Sequence, residues 1–412
     1  MATILKAPSL KDGSKGVIVF TTQDRDNFIV GDNKLENRIQ NLKNDWIIGL
    51  HHNWHDHKFN YNPIFDFSFA GEGDLIEANN TPFNQIHLDA CNFTPEFFKF
   101  SNSDKNWDIL YVARAVFFKK IPEFFKIIRE LYDNNKYYRV LLICPIPDEC
   151  KNKIKGSTTF CNVRDEYDNL FSEEEKKFFT LLTTDFNNPF PFDLKTLSFF
   201  YKSSKIFVHS ADNERRCRVV GYAHASGMPV VCLEDPASLM PKSLQKSPLV
   251  YVARNYEDFP HLIDKAIQYV DSNSYNIDDM LPAIKECSET YSKERLKEII
   301  DSFLSVKTSL DEYNFNDLDI RLGRHHGLGN HKNSCGWSIP SLVNYLENHT
   351  LEEINLDIKN EDPEKFILKY LKYGIVSKKK YVRLNRHFFK KLILQYFPFI
   401  KYIKSQIKKN EH

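Results

Sequence analysis

The chain has 412 residues, 42% hydrophobic and 27% charged, with a formal net charge of +1. That length allows two domains with sizeable cores, and the composition is that of an ordinary soluble globular protein. The near-neutral balance excludes a globally basic nucleic-acid binder, and no apolar run approaches the length of a membrane span. The eight cysteines form no C-x-x-C pair, and several sit in apolar strand contexts. They read as reduced, buried thiols of an intracellular protein. The N-terminus MATILKAPSLKDGSKG lacks a signal-peptide core. No internal repeat of fixed period is visible.

The predicted elements begin with GVIVFTT (16–22), a strand that opens an α/β domain. LENRIQNLKN is a short helix and DWIIGLHH a second buried strand. Residues 58–106 are rich in Phe, Asn and Pro, with PIFDFSF, QIHLDA and TPEFFKF as short apolar pieces. Residues 107–135, WDILYVARAVFFKKIPEFFKIIRELYDNN, read as strand, turn and amphipathic helix. YRVLLICP is the next strand, and the polar stretch at 155–177 reads as a surface loop. TLLTT is a strand and FDLKTLSFFYKSS a helix. KIFVHS is a short apolar run suited to a buried parallel strand. A charged loop follows, then a helix over 215–226 that stops at Gly227, and then the strand PVVCL. Helices in YEDFPHLIDKAIQYVDS and MLPAIKECSETYSKERLKEIIDSFLSV complete this half. Beyond residue 310, a loop rich in Gly, His and Asn precedes a helix, and EDPEKFILKYLKYGI is a further helix. The tail from Lys378 carries eleven Lys/Arg and one Glu, interleaved with aromatic and aliphatic residues.

Two of these stretches carry chemistry. A helix that starts where a parallel strand ends points its N-terminus at the ligand crevice of an open α/β sheet, where backbone N–H groups and the dipole favour an anion. Residues 199–231 have that form, and they resemble the donor-site motif E-x7-E followed by A-x-x-x-G-x-P-V-V. That motif belongs to retaining glycosyltransferases of the GT-B fold, family-4 type. Residues 107–135 resemble the same family's I-L-Y-V-G-R-x-x-x-x-K-G-x-x-x-L-I-x-A stretch. The resemblance covers about residues 107–270. It implies a GT-B-like α/β fold, with two Rossmann-like domains facing across a cleft and a C-terminal helical extension. The expected organisation is an acceptor-side domain at 1–106, a nucleotide-sugar-binding domain at 107–305, and an extension at 306–412. That extension returns to the first domain and carries a basic aromatic tail at 378–412.

The resemblance implies roles residue by residue. Arg114 and Lys119 align with the family's arginine and lysine, which neutralise the diphosphate and the charge of the leaving group. Ala113 stands where the family has glycine. Glu214 aligns with the first glutamate and faces sugar hydroxyls. Ser210 ends the strand before that loop and counts with the donor-binding residues. Arg215 and Arg216 lie at the helix start, where one reaches the phosphates. The second glutamate, which binds ribose hydroxyls, falls on Tyr222. A phenol does not reproduce a carboxylate's paired hydrogen bonds to a diol. Either the ribose is held differently or donor affinity is weaker, with a non-catalytic homologue as the extreme case.

The cluster HHNWHDH (51–57) has spacings that suit a zinc site or a polar loop. The family's use of a crevice histidine near the donor sugar points to His52 or His55, with Asp56 as a base for the acceptor hydroxyl. No Asp-x-Asp metal motif accompanies the nucleotide half, so neither metal nor cofactor is expected beyond the nucleoside diphosphate sugar donor. RLGRHHGLGNH (321–331) reads as a connector or as a cover for the acceptor side. The tail over 378–409 suits an anionic membrane surface, a nucleic acid, or a solvated helix interrupted at Pro398. The resulting expectation is a cytoplasmic glycosyltransferase, peripheral on the inner membrane face, acting on a glycan or lipid-linked acceptor. The rivals are a non-catalytic nucleotide- or carbohydrate-binding homologue and a nucleotide-sugar epimerase. Sugar, nucleotide and acceptor stay open.

Overall fold

The computed structural model describes residues 2–21, 32–51, 64–69, 84–88, 90–146, 162–183, 192–212, 217–234, 249–272, 275–315, 318 and 339–359. Two mainly parallel sheets organise these residues. In the first, β1 (Ala2–Lys6) runs antiparallel to β2 (Gly16–Thr21). The helix α1 (Asn33–Leu42) then leads to β3 (Trp46–His51), which pairs in parallel with β2. β4 (Phe67–Phe69) and β5 (Asn84–Ile86) extend the parallel set. The Asp32 carboxylate caps α1, accepting from the Leu35 N–H at 3.1 Å, and Leu35, Ile39 and Leu42 are buried. Gly49 lies under the buried ring of Phe67, where a Cβ would come within 2.2 Å of Cζ. A larger residue there would have to displace that ring.

The second sheet is built from β6 (Trp107–Val112), β7 (Val140–Cys144), β8 (Phe179–Thr183), β9 (Ser204–His209), β10 (Val230–Leu233) and β11 (Val250–Ala253). All its pairs are parallel, in the order β11-β10-β9-β6-β7-β8. Read from β8, this is the doubly wound order 3-2-1-4-5-6, which reverses between its first and fourth strands. Here those strands are β6 and β9. The helices that follow strands are α2 (Ile121–Asp133), α3 (Val163–Leu170), α4 (Leu194–Lys202), α5 (Arg218–Ala225) and α6 (Phe259–Asp271). The α/β class with two parallel-sheet units is therefore the one the sequence predicts.

The core of the second unit explains why these runs are strands and not loops. β7 is buried along its whole length, as a parallel strand covered on both faces must be. α2 turns Ile121, Phe124, Phe125, Ile127, Ile128, Leu131 and Tyr132 inward, each large side chain contributing about 1.5–3 kcal/mol by burial. α5 ends as predicted at Gly227, whose φ of +73° places it in the left-handed region. Gly227 N–H bonds to His224 O at 2.9 Å, and Met228 N–H to Ala223 O at 2.9 Å.

One reading is corrected, and two strands appear that the sequence reading did not mark. Residues 155–177 were expected to be a surface loop. Instead α3 lies within them, and Phe171 just beyond it packs edge-on against Phe125 and Phe179. A polar face hid a helix whose inner side is Val163, with Tyr167 and Leu170 partly buried beside it. Strands β1 and β11 were not anticipated. Residues on both sides of 305/306 contribute to one core. The chain leaves the second unit through α7 (Leu281–Glu286), and α8 (Glu289–Leu304) then places Leu296 and Ile300 in the first core, beside Val17, Val19, Phe67 and Phe315. The outgoing and returning segments run together. Thr94 N–H donates to Cys287 O at 3.1 Å, Glu289 N–H to Thr94 O at 3.0 Å, and the Asn92 amide to Glu286 O at 3.0 Å.

The last described helices, α9 (Ile339–Glu347) and α10 (Leu351–Lys359), also meet the first unit. Arg38 on α1 pairs with Glu347, its Nε 2.9 Å from Oε1, and the Asn355 amide donates to Pro8 O at 2.8 Å. The expected helix at 361–375, the loop at 319–338 and the basic tail lie outside the described residues. Among the described residues no helix is long and apolar enough to cross a membrane, and the described cysteines are all free thiols. Burial pushes the Cys144, Cys232 and Cys287 thiols up to about 12, so they are inert packing residues.

One buried group gives a direct test of this core. His224 on α5 is 1% exposed, and neither ring nitrogen has a hydrogen-bond partner. Burial pushes its imidazole down to about 4, from an ordinary value near 6.5. As pH falls between those values, the unfolded chain takes up a proton that the folded chain refuses. Stability is therefore complete above about pH 6.5 and declines by about 1.4 kcal/mol per pH unit towards pH 4. His224→Leu is expected to remove that part of the acid slope and to match or exceed the wild type at neutral pH, because two unpaired polar atoms leave the core. Denaturant midpoints at pH 4.5 and 7.5 check this. An unchanged difference between the two pH values in the variant would contradict it.

Candidate functional site

The candidate site forms where the strand order reverses. β6 ends at Val112, and the chain continues through buried Ala113 to exposed Arg114. Ala113 N–H bonds to Ile143 O at 3.0 Å, so the alanine at the family's glycine position is held in the sheet without disturbance. A short 3-10 turn, Phe117–Lys119, follows. Its two phenylalanines stand outward, Phe117 being 54% exposed, while Lys119 is only 7% exposed. Lys120 then adopts φ 51°, ψ 44° and heads α2 without a side-chain cap of its own. The left-handed backbone costs an ordinary residue about 1–2 kcal/mol and is natural for glycine. Lys120 stands where the family stretch has glycine after its lysine, so the turn keeps the shape while the residue type has changed.

β9 delivers the second half. After His209, both Ser210 and Ala211 are buried, and Asp212 pairs with Lys120, Oδ2 to Nζ, at 2.7 Å. The chain is described again from Cys217, which stands at the cap position of α5 and offers no side-chain hydrogen bond to it. The Lys119 Nζ lies 3.9 Å from the Cys217 Sγ. An ammonium group thus sits beside the positive end of a helix dipole. A helix N-terminus and nearby cations are surroundings that favour an anion, and Arg114 lies on the same loop as Lys119.

The backbone of this corner is bound tightly. The Tyr111 hydroxyl on β6 donates to the Lys119 carbonyl at 2.6 Å. The Ser210 hydroxyl reaches the same carbonyl at 3.1 Å and that of Lys120 at 3.3 Å. The Tyr256 hydroxyl, from the turn before α6, donates to the Ser210 carbonyl at 3.2 Å.

The structure brings Arg114, Lys119 and Ser210 to one corner, although their two sequence stretches are far apart. Ser210 spends its hydroxyl on the backbone. Tyr222 is 3% exposed; its ring stacks on Phe98 at 4.2 Å between centroids and meets Tyr201 edge-on. It is part of the core of the second unit. Glu214, Arg215, Arg216, His52, His55 and Asp56 lie outside the described residues, as does the 321–331 cluster. Among the described residues no three His, Cys, Asp or Glu side chains gather as metal ligands. Sequence reasoning did not single out Tyr111, Lys120, Asp212, Cys217 or Tyr256. A charged residue at the family's glycine position was the one available signal, and it marked Lys120.

No family model and no curated protein matches the sequence. Solved structures similar to this chain include the pneumococcal O-GlcNAc transferase GtfA in complex with UDP and GlcNAc, at 9% identity and a TM-score of 0.43, covering 67% of this chain and 55% of that one. TarM matches at 13% identity and a TM-score of 0.42, over 68% of this chain and 58% of that one. The α,α-trehalose 6-phosphate synthase from Burkholderia multivorans matches at 12% identity and a TM-score of 0.41, over 66% and 70%. This chain spans just over half the length of the GtfA and TarM chains. At these identities and scores, the functional reading rests on the chain's own residues.

The left-handed turn is testable alone. Lys120→Gly relieves the backbone and loses a half-exposed ion pair worth under about 1 kcal/mol, so its thermal midpoint is expected to stay close to wild type. Lys120→Val keeps the strain, adds β-branching and loses the pair, at an expected cost of about 2 kcal/mol. Thermal denaturation of both variants checks this. Equal losses for Gly and Val would contradict the left-handed assignment.

Proposed function

We propose that this protein transfers a sugar from a nucleoside diphosphate sugar to a glycan or lipid-linked acceptor, with retention at the anomeric carbon. The observation that supports this most is the meeting of the Lys119 ammonium with the head of α5, at the point where the sheet order reverses. In the proposed reaction the bond between the sugar's anomeric carbon and the diphosphate oxygen breaks. The acceptor oxygen takes that carbon on the same face, and the acceptor's proton leaves with the departing phosphate. The diphosphate gains negative charge as it departs. Arg114 and Lys119 are proposed to stabilise that charge, an effect that grows as water is excluded.

Glu214 follows β9 in sequence and is proposed to bind sugar hydroxyls, with Arg215 and Arg216 near the phosphates. His52 or His55 is proposed to face the donor sugar from the first unit. Ser210 and Tyr222 are proposed to shape the frame and not to touch the donor. The second reading is a protein that binds nucleotide or carbohydrate without turnover. It is favoured by the burial of Tyr222, which puts a packing ring where the family has its ribose-binding glutamate. The two readings separate on sugar release.

Arg114→Ala and Lys119→Met, the latter keeping the buried stem, are each expected to lower kcat/KM by about 10²–10³. Thermal midpoints should stay near wild type. Steady-state rates with a soluble donor measure this, and near wild-type rates for both variants would overturn the site. The tail over 378–409 is proposed to bring the protein to an anionic membrane surface. Binding to anionic vesicles in sedimentation should weaken with salt, because the Debye length shortens to about 3 Å at 1 M. Folded full-length protein that ignores such vesicles would contradict that attachment.

A further inference from the structure

The Lys119 carbonyl is the most heavily held acceptor at the candidate site. Two hydroxyls converge on it, Tyr111 at 2.6 Å from β6 and Ser210 at 3.1 Å from the end of β9. Both of those residues are buried. Ser210 has one proton, shared between this carbonyl and that of Lys120 at 3.3 Å. The Ser210 carbonyl is itself held by Tyr256 at 3.2 Å. β6 and the end of β9 are thus tied to the backbone of Lys119, and the turn before α6 is tied to that of Ser210. The turn they fix contains a left-handed lysine, a conformation that L residues leave unless the surroundings hold it. The side chain attached to that backbone ends 3.9 Å from the Sγ of Cys217, at the cap position of α5.

The Lys119 ammonium donates to the Cys217 sulfur at the cap position of α5 at 3.9 Å, a long contact, so where the ammonium lies depends on the backbone that carries it. A displacement of about 1 Å at such a group is enough to cost a reaction on the order of 10²-fold. We propose that Tyr111 and Ser210 are positioning residues that latch the Lys119–Lys120 turn and thereby set the Lys119 ammonium at its anion-binding position. The ligand this position serves is a diphosphate. This inference rests on the donor-site reading above, and goes beyond it by naming the groups that aim the cation.

The test uses the full chain with Tyr111→Phe, Ser210→Ala, both together, and Ser210→Thr, which keeps the hydroxyl. Each is also made in a Lys119→Met background. Calorimetry with a nucleoside diphosphate, and separately with inorganic pyrophosphate, reads affinity. Hydrogen exchange over residues 117–124 reads the turn without ligand. The double variant is expected to bind diphosphate about 10-fold more weakly and to exchange about 10-fold faster in that segment. Ser210→Thr should restore both to within about 2-fold. In the Lys119→Met background the latch substitutions should cause no further loss of affinity, because the group they aim is gone. An equal further loss there would mean a general packing role and would overturn the proposal, as would unchanged exchange in the double variant. If the wild type binds neither nucleoside diphosphate nor pyrophosphate, the donor reading fails and the positioning role with it, while exchange still decides whether the hydroxyls hold the turn.

Discussion

The ammonium of Lys119 and the N-terminal end of α5 are held within a few ångströms of each other at the junction of β6 and β9. The contact is a donor bond from the ammonium to the Cys217 sulfur, and backbone geometry fixes where that ammonium lies. Buried hydroxyls hold the Lys119 carbonyl, and a left-handed residue turns the chain straight into α2. The Lys120–Asp212 pair adds a partial counter-charge on the outer side. The apolar second core supplies the rigidity, because strands buried on both faces allow little adjustment at their ends.

The two units are not simply consecutive. The segment leaving the first sheet and the segment returning to it lie side by side, joined by backbone bonds between Thr94 and residues 287–289. α8 then completes the core under β2 and β4 with Leu296 and Ile300. Loosening that junction would expose apolar surface of the first unit as well as altering where the second begins. This explains how a first sheet built from strands as short as β4 and β5 is stabilised: its core borrows residues from the far end of the chain.

Much of this was legible in the sequence, and the reasons are specific. WDILYV and KIFVHS are continuous apolar runs followed by helical periodicity, and a parallel sheet covered on both faces leaves few other options for them. Gly227 stopped α5 because only a residue tolerant of positive φ ends a helix in that way. β1 was missed because ATILK is a brief run that ends in a lysine. In the fold the Lys6 ammonium is buried and donates to the Ser14 hydroxyl at 3.0 Å. β11 was missed because it lies at the sheet's edge and Val252 is exposed, which blurs the pattern. At the site, Arg114 and Lys119 were visible as residue types at a spacing. The hydroxyls of Tyr111 and Ser210 were not, since a buried tyrosine and serine in strand contexts look like any others until their carbonyl partner is placed. Tyr222 shows the opposite case: motif alignment pointed outward to a ligand, while its size and apolar neighbours sent it into the core.

The most direct measurement is a crystal structure of the full chain with a nucleoside diphosphate bound. The account predicts the diphosphate between the Lys119 ammonium and the start of α5, with Arg114 turned towards it and the Lys119 carbonyl still held by Tyr111 and Ser210. A diphosphate bound elsewhere, with this corner unchanged and solvent-filled, would contradict the account.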